Sequence, residues 1–316
     1  MDSIGYWNIR GMNKLNKQLE IRRFIQLNNI SLFGILETRI KNKNWGNVRR
    51  NIWNNWAICT NNSCHSGGRI WVVWNPSVYH LDVKDMSEQA IHLKVTTRGN
   101  LKQFWVTFVY GFNKIAERRN LWRDLRTFSS MVDDAWIIGG DFNNVLYSND
   151  RLGSEITLAE VKPFLDCTHD CKITDLKAVG SFFTWNNKQE VATRVYSRID
   201  RTFINDEWLE AFPDAYAHFM TEGTFDHCPC VIHLDGTPRR KIAAFKYYNM
   251  CALAPTFQEI VEKCWSSPVM GTPMFRVAGN QIKKIESMLL IALNEIQKKI
   301  RESPFDPDII AAEIAI

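Results

Sequence analysis

Short apolar runs alternate along the chain with stretches whose apolar residues recur every three or four positions. The runs are rich in β-branched and aromatic side chains, which is typical of buried or half-buried strands. They cover residues 4–9, 32–36, 56–60, 70–74, 104–110, 136–138 and 201–204. The helical period is found over residues 15–28 and 116–132. This mixture predicts a layered α/β domain.

Polar residues without an evident structural task end or directly follow several of these runs. They are Asn8, Glu37, Tyr110, Asp141 and Asn143. In layered α/β folds, ligands collect at one end of the strands. We therefore expect these residues to meet in one cleft, although they are far apart in sequence.

The character of the chain changes after Leu234. The segment DGTPRRK combines turn residues with basic residues, which is typical of a linker. A longer helix is predicted over residues 279–302, where an apolar stripe follows one face and two prolines come after it. We therefore predict one domain over residues 1–234 and a linker with a helical extension over residues 235–316. The apolar stripe requires a partner surface.

Charge and aromatic content narrow the classes of function. The 39 lysines and arginines exceed the 34 acidic residues, and the net charge of +5 permits a polyanionic partner without requiring one. The 12 tryptophans and 18 phenylalanines are expected to fill a large core rather than to stack on bases.

Cysteine spacing and hydropathy argue against two further classes. The eight cysteines form no CxxC pair with matched histidines, so a structural zinc site is not expected. The chain opens without a basic and then apolar leader, and no run approaches the roughly 18 apolar residues of a membrane span. We therefore expect an intracellular protein with reduced thiols and no membrane partner.

The hexapeptide GGDFNN at residues 139–144 is the first candidate for chemistry. Its glycines allow the backbone to bend after an apolar strand, and Asp141 and Asn143 then lie on the same side. A carboxylate beside an amide suits the activation of a water molecule. An Asx-type turn that caps the strand would use the same residues, so the hexapeptide alone leaves both interpretations open.

Other acids and a histidine complete the inventory of a phosphoryl-transfer site. Glu37 leaves a strand that contains no other charge, and Asp226 and His227 are adjacent in FDHCPC. Magnesium prefers oxygen ligands, usually one or two carboxylates with water and phosphate oxygens. Taken singly, His227 would more often be a structural histidine, Asp200 a surface ion pair and Tyr110 a half-buried strand-end residue. Only their occurrence together favours a site.

Seven motifs occur in one order along the chain. They are NIRG with Asn8, LET with Glu37, VYG with Tyr110, GDFNN, SFFTW with Thr184, SRIDR with Asp200 and DHCP with His227. Their order and spacing resemble the endonuclease/exonuclease/phosphatase superfamily. Within it, the chain looks most like the endonucleases of plant LINE-type (non-LTR) retrotransposons, over residues 3–234. The resemblance implies a four-layer α/β sandwich, in which two packed mixed β-sheets are flanked by helices.

The resemblance also implies a role for each matched residue. Glu37 would be the principal ligand of Mg²⁺, or of Mn²⁺ as a substitute, and Asn8 and Asp226 would lie near the ion. Asp141 would orient or deprotonate the attacking water, helped by Asn143.

Further matched residues would act on the phosphate. Asp200 would hold the imidazole of His227 and favour its charged form. Tyr110 would contact the phosphate or the leaving group, and Thr184 would lie beside the phosphate. One residue departs from the pattern, because related elements usually carry Ser where this chain has Phe225. The missing hydroxyl, worth about 1 kcal/mol, predicts weakened rather than lost activity, and the bulky ring could obstruct the cleft.

Basic residues near the matched acids are predicted to line the path of DNA phosphates. One group follows Glu37 and the other surrounds Asp200. The residues are Arg39, Lys41, Lys43, Arg194, Arg198 and Arg201. A third cluster, from Arg118 to Arg126, lies on a predicted helix and is expected to form a solvated face.

The leading hypothesis is a Mg²⁺-dependent endonuclease that nicks DNA to leave a 3′-hydroxyl primer for target-primed reverse transcription, as the resemblance implies. Its partners would be DNA and, through the helix over residues 279–302, a reverse-transcriptase domain or a second copy of the chain. An active protein would be expected in the nucleus. The alternatives are a catalytically weak relic that binds nucleic acid or a protein, and a small-molecule phosphatase of the same fold, against which GGDFNN and SRIDR argue.

Overall fold

The computed structural model describes residues 3–40, 44–52, 55–65, 67, 69–190, 193–223, 225–235 and 262. The chain divides into two compact units, residues 1–187 with 195–239 and residues 188–194 with 240–316. Nearly all of the described residues belong to the first unit. The helix predicted over residues 279–302 lies outside the described residues, and the division into residues 1–234 and 235–316 stays a prediction.

Five helices are interspersed among the strands of the first unit's described residues. The helices are α1 (Leu15–Leu27), α2 (Trp45–Ile52), α3 (Ile115–Ser129), α4 (Leu158–Asp170) and α5 (Asp206–Ala211). The strands are β1 (Ser3–Asn8), β2 (Ile30–Leu36), β3 (Ala57–Thr60), β4 (Ile70–Trp74), β5 (Tyr79–Met86), β6 (Ala90–Thr97), β7 (Gln103–Tyr110), β8 (Trp136–Asp141), β9 (Arg151–Leu152), β10 (Thr174–Asp175), β11 (Ala178–Gly180), β12 (Trp185–Asn186), β13 (Tyr196–Ser197), β14 (Asp200–Ile204), β15 (Tyr216–Phe219) and β16 (Cys230–His233). The two predicted helices are confirmed as α1 and α3. None of the helices in the described ranges combines the length and the apolar character that crossing a bilayer requires.

Two mixed sheets form the centre of the first unit. One has seven strands in the order β11-β15-β16-β1-β2-β4-β3, and the other has six in the order β10-β14-β8-β7-β6-β5. A small third sheet has the order β12-β13-β9. The strands β1 and β2 are parallel, and so are β7 and β8. Because parallel neighbours end at the same edge of a sheet, Asn8 lies beside Leu36, and Tyr110 lies beside Asp141.

Three apolar clusters divide the unit into four layers. The first lies between the two large sheets and contains Ile4, Leu32, Val106 and Ile137 among others. The second packs α1 and α2 on the outer face of the seven-stranded sheet, and the third packs α3 and α4 on the outer face of the six-stranded sheet. Every residue of β1, β2 and β8 is buried, because both faces of these strands are covered. The predicted four-layer α/β sandwich is confirmed.

Close approach between the sheets explains the glycines of GGDFNN. A Cβ on Gly139 would lie 2.6 Å from the ring of Tyr6 in the facing sheet. Gly140 has a φ of +156°, and a Cβ there would lie 2.0 Å from the carbonyl oxygen of Val109. These two positions therefore bring β8 close to its neighbours and set the direction in which the chain leaves the strand at Asp141.

Candidate active site

The strand-end residues line one cleft of about 390 Å³. The predicted site residues on its surface are Asn8, Glu37, Arg39, Asp141, Asn143, Asp226 and His227. They come from the carboxyl ends of β1, β2 and β8 and from the segment that precedes β16. The expected convergence of residues from distant parts of the sequence is therefore observed.

The segments after β1 and β2 hold Asn8 and Glu37 side by side. The amide of Gly11 donates to the carbonyl oxygen of Glu37 at 2.8 Å, which ties one segment to the other. The Glu37 side chain is only 7% exposed, and its Oε1 accepts from the guanidinium of Arg39, which is 51% exposed. The carboxylate is thus part of the cleft wall, and a side chain with access to solvent neutralises it.

Asp226, like Glu37, pairs with an arginine that has access to solvent. Its Oδ2 accepts from Nη1 of Arg10 at 2.5 Å and from Nε1 of Trp185 at 3.4 Å. The side chain of Arg10 is 56% exposed, whereas that of Asp226 is 12% exposed. Burial raises the pKa of Asp226, but the positive charges of His227 and Arg10 outweigh burial and bring the pKa below its ordinary value. Asp226 is therefore ionised and available as an oxygen donor.

Backbone strain occurs repeatedly around the cleft. Arg10, Glu37, Arg39 and Asn143 have φ values between 46° and 53°, in the left-handed region, and all four line the cleft. Residues other than glycine enter such sparsely populated regions at a cost of about 1–3 kcal/mol each. All four residues belong to the segments that follow β1, β2 and β8, where the chain leaves the sheets at the cleft.

Asp141 and Asn143 form the Asx-type turn that the hexapeptide allowed. The Oδ1 of Asp141 accepts from the amide of Asn143 at 2.8 Å. Its Oδ2 accepts from Nδ2 of Asn8 at 2.8 Å and from Nδ2 of Asn143 at 3.1 Å. The turn and the candidate water-activating carboxylate are therefore one structure, in which neutral donors fix both oxygens of a buried acid.

His227 lies between two buried carboxylates. Its Nδ1 is 2.9 Å from Oδ2 of Asp200, and its Nε2 is 3.9 Å from Oδ2 of Asp141. Burial lowers the pKa of His227, but the charges of Asp200 and Asp141 outweigh burial and raise it to about 9. Burial and the charge of Asp200 raise the pKa of Asp141 to about 7. At neutral pH the imidazole is therefore cationic, and the Asp141 carboxyl holds its proton more tightly than an ordinary aspartate does.

These three side chains offer ligand atoms within 4.8 Å of one another, which is close enough to hold a metal ion. However, the cationic ring of His227 already supplies positive charge there, and its Nδ1 is bonded to Asp200. Glu37, Asn8 and Asp226 line the same cleft and offer carboxylate and amide oxygens, which Mg²⁺ and Mn²⁺ prefer, and Oδ1 of Asn8 also accepts from the amide of Arg10 at 3.0 Å. The oxygen donors therefore fit a hard divalent ion, and the imidazole cluster fits proton handling.

Two predicted phosphate contacts lie beneath the cleft. Thr184 is 0% exposed, and its Oγ1 accepts from the amides of Ile199 and Asp200 at 3.2 and 3.0 Å. Tyr110 is 3% exposed and lies opposite Asp141 in the register of β7 and β8. Burial and the neighbouring carboxylates raise the pKa of Tyr110, so its phenol is neutral. Thr184 holds the backbone amide of Asp200, and neither Thr184 nor Tyr110 is among the residues that line the cleft.

Arg201 corrects a prediction of DNA contact. Its side chain has no exposed surface and pairs with the carboxylates of Asp150 and Asp175. The residue lies inside β14, where every position is buried, so the basic cluster seen in the sequence is divided by the fold. Arg201 stabilises the interior and cannot reach a bound nucleic acid.

Arg198 and Arg194 are also more buried than predicted. Arg198 is 17% exposed, its guanidinium lies 5.2 Å from the ring centroid of Phe182, and it pairs with Asp175. Arg194, in the second unit, is 8% exposed, and its Nε donates to the carbonyl oxygen of Gln189 at 2.6 Å. The guanidinium of Arg198 is not on the cleft surface, because it is engaged with Phe182 and Asp175. Lys41 and Lys43 lie outside the described residues.

Several cleft residues were missed by reasoning from the sequence. They are Arg10, Asn113, Arg151, Ser154, Trp185, Asn187, Val195, Ser197 and Ile199. The side chain of Arg151 is 16% exposed and donates to both carboxylate oxygens of Glu160, at 2.7 and 3.1 Å. Arg10 and Trp185 fall inside the NIRG and SFFTW motifs and could have been found there. Nothing in the sequence around Asn113 and Arg151 signals the cleft.

Phe225 does not obstruct the cleft. Its ring centroid is 4.3 Å from that of Trp7, and the residue is 4% exposed within the apolar cluster beneath α1 and α2. The ammonium of Lys17 lies 4.9 Å from the ring centroid on another side. The aromatic side chain thus faces the core, and the predicted obstruction is wrong.

No family model matches the chain, and no curated protein matches it in sequence. Solved structures do match it. The endonuclease domain of TRAS1, a telomere-specific non-LTR retrotransposon, is 12% identical with a TM-score of 0.52, over 74% of this chain and 98% of that domain. The 3′ phosphatase NExo from Neisseria, bound to a product DNA hairpin, is 17% identical with a TM-score of 0.57, over 74% of this chain and 100% of NExo. A mannosyl-6-phosphatase from Bacteroides thetaiotaomicron is 11% identical with a TM-score of 0.52, over 74% and 99% of the two chains. At these identities the matches show the fold, which is that of endonuclease/exonuclease/phosphatase proteins.

Proposed function

We propose that this chain, which has the fold of endonuclease/exonuclease/phosphatase proteins, is a divalent-cation-dependent phosphodiesterase that cuts DNA as an endonuclease. One observation carries the proposal: the buried Asp141 and cationic His227 share a single cleft with Glu37 and Asn8, whose side chains offer oxygen atoms to a metal ion. A base for water, a cation for phosphate charge and a donor set for a hard metal ion are the parts that phosphodiester hydrolysis requires.

Glu37, Asn8 and Asp226 are the residues that would hold the ion, with Mg²⁺ as the proposed species and Mn²⁺ as a substitute. When bound, such an ion polarises the phosphate and neutralises charge on the departing oxygen. Arg39 and Arg10 now neutralise Glu37 and Asp226, and both guanidinium groups have access to solvent. The two arginines are therefore free to turn towards DNA phosphates when another cation compensates the acids.

Asp141 orients the attacking water and takes its proton. The amide donors of Asn8 and Asn143 fix the carboxylate. Because burial and the charge of Asp200 raise its pKa, Asp141 is a stronger base than an ordinary aspartate. A positioned base of this kind typically accelerates a reaction by about 10²–10⁴-fold.

His227 holds a proton at Nε2 and presents positive charge to the phosphate oxygens. Asp200 accepts from Nδ1 and keeps the ring in one orientation. Since the pKa of His227 is about 9, the charge is present throughout the neutral range. Charge that develops on the phosphate during hydrolysis is thus met by a cation whose position is fixed before the reaction.

A DNA substrate is favoured by the cations on the cleft surface. Arg10, Arg39 and Arg151 all lie there. Together with Lys41 and Lys43, they would contact the phosphates on either side of the scissile bond. In keeping with the resemblance to LINE-type endonucleases, the nick would leave a 3′-hydroxyl primer for reverse transcription. The proposed partners are a reverse-transcriptase domain or a second copy through residues 279–302, and the proposed location is the nucleus.

A plasmid nicking assay tests the proposal. The parent protein is expected to convert supercoiled plasmid to open circles with Mg²⁺ or Mn²⁺ and to stop when the ion is chelated. Glu37→Gln and His227→Ala should each lower the rate by at least about 100-fold. The matched controls are Glu88→Gln and His80→Ala, which change exposed residues away from the cleft and should nick as the parent does. Nicking by the two cleft variants at the parent rate would refute the proposal.

A catalytically weak relic that only binds nucleic acid is the second candidate. The observation in its favour is that guanidinium groups already occupy oxygens of Glu37 and Asp226. In that case the parent would retard DNA in a gel without nicking it at any concentration of Mg²⁺. A small-molecule phosphatase would instead release inorganic phosphate from sugar or inositol phosphates and leave the plasmid intact.

A further inference from the structure

Arg118 is buried on the inner side of α3, although its cluster was expected to form a solvated face. It is 3% exposed, whereas the next residue, Arg119, is exposed. The Nη1 of Arg118 donates to the carbonyl oxygens of Phe112 and Asn113 at 2.9 and 2.8 Å, and its Nη2 donates to Oδ1 of Asn144 at 2.9 Å. One guanidinium therefore joins two separate turns.

These two turns follow the parallel strands β7 and β8 at the edge that forms the cleft. Asn113 and Asn143 both line the cleft. The turns also contact each other, because Nδ2 of Asn143 donates to the carbonyl oxygen of Gly111 at 2.7 Å, and the amide of Gly111 donates to the carbonyl oxygen of Asp141 at 2.7 Å. Any displacement of the first turn is therefore passed to Asn143, which bonds to the Asp141 carboxylate.

The second partner of Arg118 extends the connection to a further cleft residue. The Nδ2 of Asn144 donates to the carbonyl oxygen of Glu160 at 3.0 Å. The carboxylate of Glu160 in turn holds Arg151 on the cleft surface. Hydrogen bonds made by Asn144 and Glu160 thus connect Arg118 to Arg151 on the cleft surface, in addition to Asn113.

A buried guanidinium whose hydrogen bonds go to neutral oxygens loses its hydration without gaining a direct ion pair. Burial of the charge therefore opposes the stability of the fold. Burial lowers the pKa of Arg118, which shows that its surroundings oppose the charge, although Glu160 and Asp141 counteract this at longer range. Lysine could not replace it, since only the planar fork of arginine reaches three acceptors in two directions at once. This position therefore requires arginine because of the shape of its side chain.

We propose that Arg118 is a positioning residue of the active site, which clamps the 111–113 turn to Asn144 and so fixes Asn143 and Asp141 for the reaction. It touches neither the cleft nor the substrate. Its effect on rate rests on the proposed function, whereas its effect on the order of the two turns does not.

The test compares Arg118→Met, Arg118→Lys and Arg119→Met in the full chain, at a temperature at which circular dichroism shows every variant folded. Arg118→Met should lower kcat by at least about tenfold with less than about a threefold change in KM, since substrate contacts remain while the base is misplaced. Arg118→Lys should fall between Arg118→Met and the parent. Arg119→Met is the matched control and should equal the parent.

Hydrogen exchange supplies the readout that does not depend on activity. Exchange in residues 111–114 and 142–146 should accelerate in Arg118→Met, while the central strands keep the protection of the parent. Asn144→Ala should reproduce this pattern, and the double variant should add little to either single one, because both remove the same contact. If Arg118→Met does not fold, Arg118→Lys and Asn144→Ala carry the test.

If the Arg118→Met variant folds and has the kcat of the parent, or shows unchanged hydrogen exchange in both turns, the proposed positioning role of Arg118 is wrong. A parent protein that does not cut DNA at all refutes the proposed function instead, and the exchange data still decide whether Arg118 holds the turns.

Discussion

The two large sheets each bring acids to the cleft, and the surroundings of the two sets differ. On the side of the seven-stranded sheet, Glu37 and Asp226 are 7% and 12% exposed and pair with arginines that are about half exposed. On the side of the six-stranded sheet, Asp141 and Asp200 are 0% exposed. Amide donors and a single imidazole hold these two acids.

The two sets of acids differ in what compensates their negative charge, and this difference suits them to different parts of the reaction. An acid that is neutralised by a mobile, solvent-exposed arginine can exchange that partner for a metal ion at modest cost, since the arginine returns to water. An acid that is buried among fixed donors cannot, and its environment acts on its proton affinity instead. We therefore expect the first side to bind the ion and the second side to handle the proton. The variants below test this division, from the largest expected effect to the smallest.

Asp141→Asn should have the largest effect, with a fall in nicking rate of about 10³-fold because the base is lost. The melting temperature should stay equal or rise, since the raised pKa of Asp141 shows that its surroundings oppose the carboxylate. Rates on plasmid and thermal melts at pH 8 are the measurements.

Asp150→Asn is the matched control for this change. Asp150 is equally buried, but its carboxylate pairs with the buried Arg201, so its loss should lower the melting temperature. If Asp141→Asn melted as low as Asp150→Asn, the claim that the Asp141 site opposes the charge would be wrong.

Thr184→Val should reduce the rate by about tenfold by an indirect route. It removes the acceptor of the Ile199 and Asp200 amides and leaves two buried donors unpaired, at a cost of about 1–3 kcal/mol in the free energy of unfolding. Thr184→Ser keeps the acceptor and should recover most of the rate. A direct phosphate contact by Thr184 is indicated instead if KM, rather than kcat, changes.

Arg39→Ala should weaken DNA binding a few-fold and reduce the slope of log K against log salt by about 1, because one phosphate contact is lost. Arg198→Ala should leave that slope unchanged, since Arg198 is engaged with Phe182 and Asp175. Fluorescence anisotropy with a labelled duplex over a range of salt concentrations measures both. Equal slopes for the two variants would indicate that Arg198 also contacts DNA phosphates.

His92 should contribute a pH dependence that leaves nicking at neutral pH untouched. The ring is buried between Trp105 and Phe128, and burial lowers its pKa to about 4. Between about pH 6.5 and 4 the unfolded chain takes up this proton and the folded chain does not. The free energy of unfolding should therefore fall by up to about 3 kcal/mol as the pH is lowered through that range.

Urea titrations of the parent and of His92→Phe, at a series of pH values, isolate this contribution. The slope should be shallower in His92→Phe, whatever the absolute stability of that variant. Parallel curves for the two proteins would assign the acid sensitivity to other groups.

The buried parallel strands and the residues at their ends could be predicted from the sequence. Strands covered on both faces read as continuous apolar runs, and a polar residue that ends such a run is conspicuous, as Asn8, Glu37 and Asp141 are. The family resemblance then supplied an expected role for each of them. These signals lie in short stretches of the sequence and can be recognised without knowledge of the tertiary packing.

Elements at the margins of the domain could not be predicted so well. The strand β5 is at the edge of its sheet, and all its positions after the buried Tyr79 are half-buried or exposed, with charges at Asp82 and Lys84, so it lacks an apolar run. The helix α4 contains Pro163, which normally breaks a helix. Its capping threonine, Thr157, which accepts from the amide of Glu160, was the signal in its favour.

The direction of an arginine side chain was the least predictable property of the site. Arg118, Arg198 and Arg201 all belong to basic clusters in the sequence, yet their exposed fractions are only 3%, 17% and 0%. Burial of a guanidinium depends on acceptors that come from distant strands and turns, and no local pattern reports them.

Mn²⁺ binding is the most direct test of the division between the two sides of the cleft. Electron paramagnetic resonance titration would follow free Mn²⁺ with the parent, Glu37→Gln and Asp200→Asn. We expect the parent and Asp200→Asn to bind the ion with similar affinity, and Glu37→Gln to lose most of the binding. The opposite result, in which Asp200→Asn loses the ion and Glu37→Gln keeps it, would place the metal in the Asp141, Asp200 and His227 cluster and contradict the account.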